Sequence, residues 1–459
     1  MLLGVGCLVG VLGTVVSVGT DLQQTALGAL VTLTALAAVA VGTTRLARSR
    51  PSWLAVLVVA VLTRLPYVTL SPIHDDSQFY YRNAVTLIDG LAAGSVPLDA
   101  LSVRYLGVHA VMGGFVPLFD GAGANVASFV AALCTVPILG ATAASLFGSR
   151  RVGVATGFVV AVFPIHVYYS WWAYSEPVTL CFFSLALYGF ITRRYGVATV
   201  ATVPVLFMRI EYVLFVLLPL FAFTTVRETR LYGAMFVSPL LPLGVGLFAP
   251  TRVERFIESF TGVSPSFLKI QVLRSTLLSS EPIGHVLTNA SFYAPHFLHW
   301  GVPYWDIGVV NPLLTVAFTL GIIRVSARNR ATGVILALVL GIVIGGVLVR
   351  ELFGVEKMYG ALVLVGVLCA LALVLATESW RDPLMIPLLS TGPYLVLITI
   401  LYSGPRYVLP VACVFLLYAG YGLCWSTDWL RDKGTVTASY PIWAMWTRRQ
   451  VNDETQGHE

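Results

Sequence analysis

The residues Ser71-Pro-Ile-His-Asp-Asp-Ser-Gln-Phe-Tyr-Tyr-Arg82 come directly after an apolar run from Ser52 to Leu70. That run, about 19 residues, is long enough to cross the hydrocarbon core of a bilayer. Asp75 and Asp76 therefore stand at the surface where a membrane span emerges, in the interface or the water beyond it, where carboxylates stay ionised. Two adjacent acids in that position suit chemistry better than packing, and the rest of the chain is read outward from them.

Composition sets the class. With 57% hydrophobic and 11% charged residues, the chain cannot cover itself with polar surface in water, which predicts an all-α, polytopic integral membrane protein. The formal charge of +6 is assigned to cytoplasmic loops, where Lys and Arg accumulate, and no nucleic-acid partner is expected. Six cysteines, Cys7, Cys134, Cys181, Cys369, Cys413 and Cys424, are scattered through apolar stretches without paired spacing. They predict neither a disulfide framework nor a Cys-based metal site.

Basic turns give the topology. Two apolar runs, Leu2 to Gly19 and Thr25 to Gly42, end in the cluster Arg45 to Arg50, which belongs in the cytoplasm, so the next span carries Asp75 and Asp76 outward. Within Ser77 to Leu91, Tyr80, Ala84, Leu87 and Leu91 recur at helical spacing among polar residues. That pattern predicts an amphipathic helix lying on the membrane. Leu101 to Phe119, broken by Gly113-Gly114 and Pro117, reads as a second interfacial or re-entrant piece. Ala124 to Phe147 then crosses inward to Arg150-Arg151, and the later basic turns at Arg193-Arg194, Arg227 to Arg230 and Arg324 to Arg330 also fall inside. Hydropathy predicts about fourteen transmembrane helices. The expected organisation is a two-helix membrane hairpin over 1–50, a membrane domain over 51–425 with large outer loops at 71–123 and 250–304, and a cytoplasmic tail over 426–459.

Several polar segments meet the outer face in this topology. They are the acidic pair, Tyr169-Ser-Trp-Trp-Ala-Tyr-Ser-Glu176-Pro, the turn Arg209-Ile-Glu211, and Tyr402-Ser-Gly-Pro-Arg406-Tyr-Val-Leu-Pro410. The 250–304 loop mixes Glu254, Arg255, Glu258, Lys269 and Arg274 with Phe256, Phe260 and Phe267, a composition suited to helices lying over the site as a lid. Arg64, inside its span, is expected to snorkel toward the interface.

In the order and sidedness of these short motifs, from Ser52 to Gly422, the chain resembles the GT-C superfamily of multi-span glycosyltransferases, such as protein O-mannosyltransferases and aminoarabinose transferases. The resemblance implies transfer of a sugar from a polyprenyl (dolichyl or undecaprenyl) phosphate to a lipid, glycan or protein acceptor at the outer face of the cell membrane. Asp75, then Asp76, would act as general base toward the acceptor hydroxyl, with Glu176 ordering the base or a metal. Arg209, Arg406, Lys269, Arg274, His296 and His299 are the cations available for the donor phosphate, supported by Glu211, Tyr80 and Tyr407. The residues leave the cofactor open, a divalent cation being the one candidate; His296 and His299 alone make a weak ligand set.

Each motif has a plainer reading. Asp75 with Gln78 spells a capping box. Glu176 before Pro177 marks a helix start. Arg209 and Glu211 would form an ion pair tying two short helices together, and Tyr168, Tyr169, Trp171, Trp172 and Tyr174 an interfacial aromatic belt. The alternative function is a transporter or lipid-linked sugar flippase, in which charges and broken helices gather near the bilayer midplane.

Overall fold

A computed structural model describes residues 53–68, 75–94, 105–209, 310–338 and 409–432, with shorter pieces between 283 and 287, at 341, between 365 and 377 and between 382 and 391. Among the described residues the secondary structure is helical, with no strand. The 1–50 hairpin, most of the 250–304 loop and the segment from Ser403 to Tyr407 lie outside the described residues.

Helix α1 covers Trp53–Val68 and α2 covers Asp75–Ala92. The expected stripe on α2 is real at its start: Tyr80, Ala84 and Leu87 are buried, while Leu91 is exposed. Tyr80 and Ala84 belong to a cluster with Val108 and Met112 of α3, Leu106–Gly113. Gly113-Gly114 and Pro117 break the next stretch as expected, into α3, a short α4 at Val116–Phe119 and a 3₁₀ turn at Asp120–Ala122. Eight residues of α3 rise only about 12 Å, far short of a bilayer core.

Next comes α5, Gly123–Phe147, 25 residues long, or about 37 Å at 1.5 Å per residue. It ends where Gly148 turns left-handed at φ 66°, with its N–H bonded to the Ala144 carbonyl, a conformation glycine adopts without a Cβ penalty. Ser149 then caps α6, Arg150–Val162, by accepting from the Val152 N–H. So short a turn makes α5 and α6 antiparallel neighbours.

Pro164 stops α6 and opens α7, Pro164–Tyr169, because a proline in a helix has no N–H and its ring collides with the carbonyl four residues back. An irregular turn leads to α8, Ser175–Ile191. After three intervening residues α9 begins, Tyr195–Met208. Gly189 permits that tight return: a Cβ there would sit 2.6 Å from the Ala198 backbone nitrogen.

Farther along, α10, Val310–Arg328, packs against α11, Leu409–Asp432, and α11 also packs on α5 and α6. The Tyr418 hydroxyl donates to the Leu384 carbonyl. Asp382 gathers donors from Asn329, Thr332 and the Leu384 N–H at 2.6, 2.7 and 3.0 Å. This ties the turn after α10 to the 3₁₀ turn Pro383–Met385. The division expected between 425 and 426 falls inside α11.

Two described stretches are long and apolar enough to cross a membrane: Leu106–Phe147, within which α5 is the unbroken helix, and Leu409–Ser426. Alternation of α5, α6, α8 and α9 puts the basic turns at Arg150-Arg151 and Arg193-Arg194 at one end of the bundle. Ser175, Glu176 and Arg209 lie at the other.

Candidate active site

The site is built on three helix termini. Asp75 and Asp76 are the first two residues of α2, in the turn where the backbone dipole favours negative charge; Asp76 is exposed. Helix α2 is recorded from Asp75 onward, and the Gln78 side chain accepts from Arg82 at 3.4 Å.

Ser175 and Glu176 open α8. Pro177, third in the helix, loses nothing by lacking an N–H, since the first four donors of a helix have no intrahelical partner. The helix-start reading of Glu176-Pro177 therefore holds, and it aims Glu176 at a partner as well. At the end of α9 the chain leaves the helix at Arg209, whose backbone is extended.

Arg209 Nη1 donates to Glu176 Oε1 at 2.8 Å, with the two side chains 1% and 0% exposed. Arg209 is thus paired with a carboxylate 33 residues earlier. Burial explains the contact: a charge taken out of water requires a counter-charge, and α8 and α9, packed as a hairpin, bring Glu176 to Arg209. Glu211 itself lies outside the described residues.

Glu176 also ties this pair to the helix of the acids. Ser175 Oγ donates to Glu176 Oε2 at 3.1 Å, and the Tyr80 hydroxyl donates to Ser175 Oγ at 3.1 Å. The result is a continuous polar chain, Tyr80 to Ser175 to Glu176 to Arg209, linking α2, α8 and the end of α9. Burial, with the Tyr105 phenol and the Glu176 charge adding to it, pushes the Tyr80 phenol well above its usual range; Arg209 and the Ser175 hydrogen bond oppose this. Tyr80 is thus a protonated donor at neutral pH.

An aromatic box surrounds Tyr80. Its ring lies 5.1 Å from Tyr105 and 6.1 Å from His109, with Phe79 at 5.4 Å. His109 is fully buried, and neither ring nitrogen has a hydrogen-bond partner among the described residues. The aromatic stretch from Tyr168 to Tyr174 turns partly inward. Tyr168, Tyr169 and Trp172 are buried, and the rings pack on one another, Trp172 stacked with Tyr174 and Tyr168 against Trp172 at 5.8 Å. The irregular turn folds back over the bundle, and Asn125 holds it there by donating to the Trp171 carbonyl at 2.7 Å.

Of the residues expected at the site, the fold joins Glu176, Arg209 and Tyr80, and sets Asp75 and Asp76 at the head of the helix that carries Tyr80. Arg406, Tyr407, Lys269, Arg274, His296 and His299 lie outside the described residues. Among the described residues, no group of three or more His, Cys, Asp and Glu side chains could hold a metal ion. Sequence reasoning missed Ser175, whose signal was its place beside Glu176 at a helix start.

Arg64 is a further correction. It is fully buried and does not snorkel. Its Nη1 donates to the Ala60 and Ala161 carbonyls, both at 2.9 Å, and its Nη2 lies 2.7 Å from His166 Nδ1. The Pro164 break leaves carbonyls at the end of α6 without helical donors, and a buried guanidinium supplies them. No family model matches the chain, and no curated protein or solved structure matches it.

Proposed function

We propose that this protein is a membrane glycosyltransferase that moves a sugar from a polyprenyl phosphate to an acceptor at the outer face of the cell membrane, as a multi-pass protein with its site facing outside. The supporting observation is the hydrogen-bonded chain from Tyr80 through Ser175 and Glu176 to Arg209. It unites three of the four polar segments that the sequence assigns to the outer face, two of which carry the resemblance to GT-C enzymes. Ionisable groups held inside an apolar bundle are costly and mark functional positions.

The division of labour is set by charge. At the start of α2, Asp75, or Asp76 beside it, accepts the proton of the acceptor hydroxyl as its oxygen attacks the anomeric carbon. The bond from that carbon to the phosphate oxygen breaks, and the polyprenyl phosphate leaves with its charge. Arg209, prepositioned by Glu176, lies near the end of the bundle where that anion departs, and a fixed cation there stabilises developing charge without reorganising. Ser175 and Tyr80 keep α2 in register with the pair.

Purified full-length protein in lipid nanodiscs, supplied with a panel of dolichyl- and undecaprenyl-phosphate hexoses and pentoses, tests this reading. Sugar transfer or donor hydrolysis with at least one donor supports it. If no donor bond is cleaved while lipid-linked sugar crosses the bilayer of reconstituted vesicles, the flippase reading replaces it.

A further inference from the structure

We propose that Arg64 is a positioning residue, which fastens the broken end of α6 to α7 and so sets where the turn after α7 delivers Ser175 and Glu176. Its part in catalysis rests on the transferase reading; its part in holding the turn does not.

Pro164 creates the need for such a fastening. Without an N–H it cannot close the helical bond to the Val160 carbonyl, and α6 ends at Val162. In an apolar bundle, carbonyls released in this way need donors from elsewhere. Phe163 N–H reaches Val160 O at 3.3 Å. The Ala161 carbonyl accepts from Arg64 Nη1 of α1 at 2.9 Å, and the single Thr63 hydroxyl proton is shared among the Val59, Ala60 and Ala161 carbonyls, at 2.9, 3.1 and 2.9 Å. Arg64 Nη2 then crosses the break to His166 in α7, at 2.7 Å. A guanidinium only donates, so His166 Nδ1 accepts and the ring proton resides on Nε2. One side chain thus grips both sides of the proline break.

Beyond α7 the chain is irregular. Between α7 and α8 run Ser170 to Tyr174, fastened to the bundle by the Asn125 bond to Trp171 O and by the packing of their own rings. The Arg64 clamp upstream and the Asn125 bond within the turn therefore help to set where Ser175 meets Tyr80 and where Glu176 meets Arg209. A lysine at 64 carries one compact ammonium in place of a planar fork and cannot hold Ala161 O and His166 Nδ1 in the same geometry. Glutamine at 166 keeps an acceptor within reach of the guanidinium, whereas phenylalanine keeps the shape and removes it.

Hydrogen exchange read by mass spectrometry on the full-length protein in nanodiscs tests the clamp without reference to activity. R64K is expected to raise exchange of residues 163–176 by about tenfold while α5 and α8 beyond residue 176 exchange as in the unaltered protein, the pattern of a local opening. H166Q is expected to match the unaltered protein. Should R64K fail to fold, H166F carries the comparison, because it leaves both guanidinium bonds to carbonyls in place. Native exchange of residues 163–176 in R64K or H166F, or an equal rise across α5 and α8, overturns the proposal.

A second readout, made with whichever donor is turned over, separates positioning from bulk stability. R64K is expected to lower kcat by about tenfold at unchanged KM, and H166Q, which keeps the acceptor, is expected to retain the native kcat. An unchanged kcat in R64K overturns the catalytic part. If the unaltered protein turns over no donor, the transferase reading fails and the exchange result stands by itself.

Discussion

Arg209 and Glu176 meet at 2.8 Å with both side chains withdrawn from solvent, although they lie 33 residues apart in the chain. A buried pair of this kind is stabilising only as a pair. Glu176→Ala leaves the Arg209 charge without this carboxylate, and the expected loss is about 3–5 kcal/mol. The double change Glu176→Leu with Arg209→Met removes both charges at similar volume and should recover most of it. Thermal unfolding in one detergent, read for the single and double variants, checks the order; a double variant no more stable than the single would show that the pair does not act as a unit.

The polar chain has a direction that mutation can read. Tyr80→Phe removes the terminal donor and leaves Ser175 bonded to Glu176, so the expected cost is about 0.5–1.5 kcal/mol. Ser175→Ala takes the middle member and strips a bond from both Tyr80 and Glu176, costing about 1–3 kcal/mol. Unfolding measurements should therefore rank Ser175→Ala below Tyr80→Phe. The opposite ranking would place the main partner of Tyr80 elsewhere.

Tyr80 also makes a pH prediction. Its folded-state pKa is raised above the ordinary phenol value by burial first, then by Tyr105 and Glu176. The contribution of the neutral phenol is thus fully present below the unfolded pKa of about 10 and is lost as the pH climbs through the higher folded value. Unfolding free energies of the unaltered protein and of Tyr80→Phe should differ by a constant amount from about pH 6 to pH 9 and converge or cross at higher pH. A difference that changes between about pH 6 and pH 8 would mean that another group titrates in the chain.

Much of this arrangement is legible in the sequence, and the remainder is hidden for definite reasons. The stripe Tyr80, Ala84 and Leu87 states the buried face of α2, and Glu176-Pro177 states a helix start. What the pattern of residues does not contain is pairing across elements. Arg209 has a nearer acid in sequence, Glu211, and only the α8 to α9 hairpin reveals Glu176 as its partner. Arg64 looks like a snorkelling residue until the end of α6 at Val162, just before Pro164 and far along the chain, is seen to leave the Ala161 carbonyl beside it to side-chain donors. Aromatic residues from Tyr168 to Tyr174 resemble an interfacial belt in composition, and their inward packing depends on a turn that composition does not encode.

The central claim, that an acid at the head of α2 performs base catalysis beside the Glu176 and Arg209 pair, is tested most directly by sugar transfer in Asp75→Asn and Asp76→Asn, assayed beside the unaltered protein with the donor it turns over. Asparagine preserves size and favours helix starts nearly as well as aspartate, so fold and donor binding should survive. Transfer by one of the two variants, Asp75→Asn first, should fall by about 10²- to 10⁴-fold, the usual contribution of a general base. Transfer at the unaltered rate by both variants would contradict it.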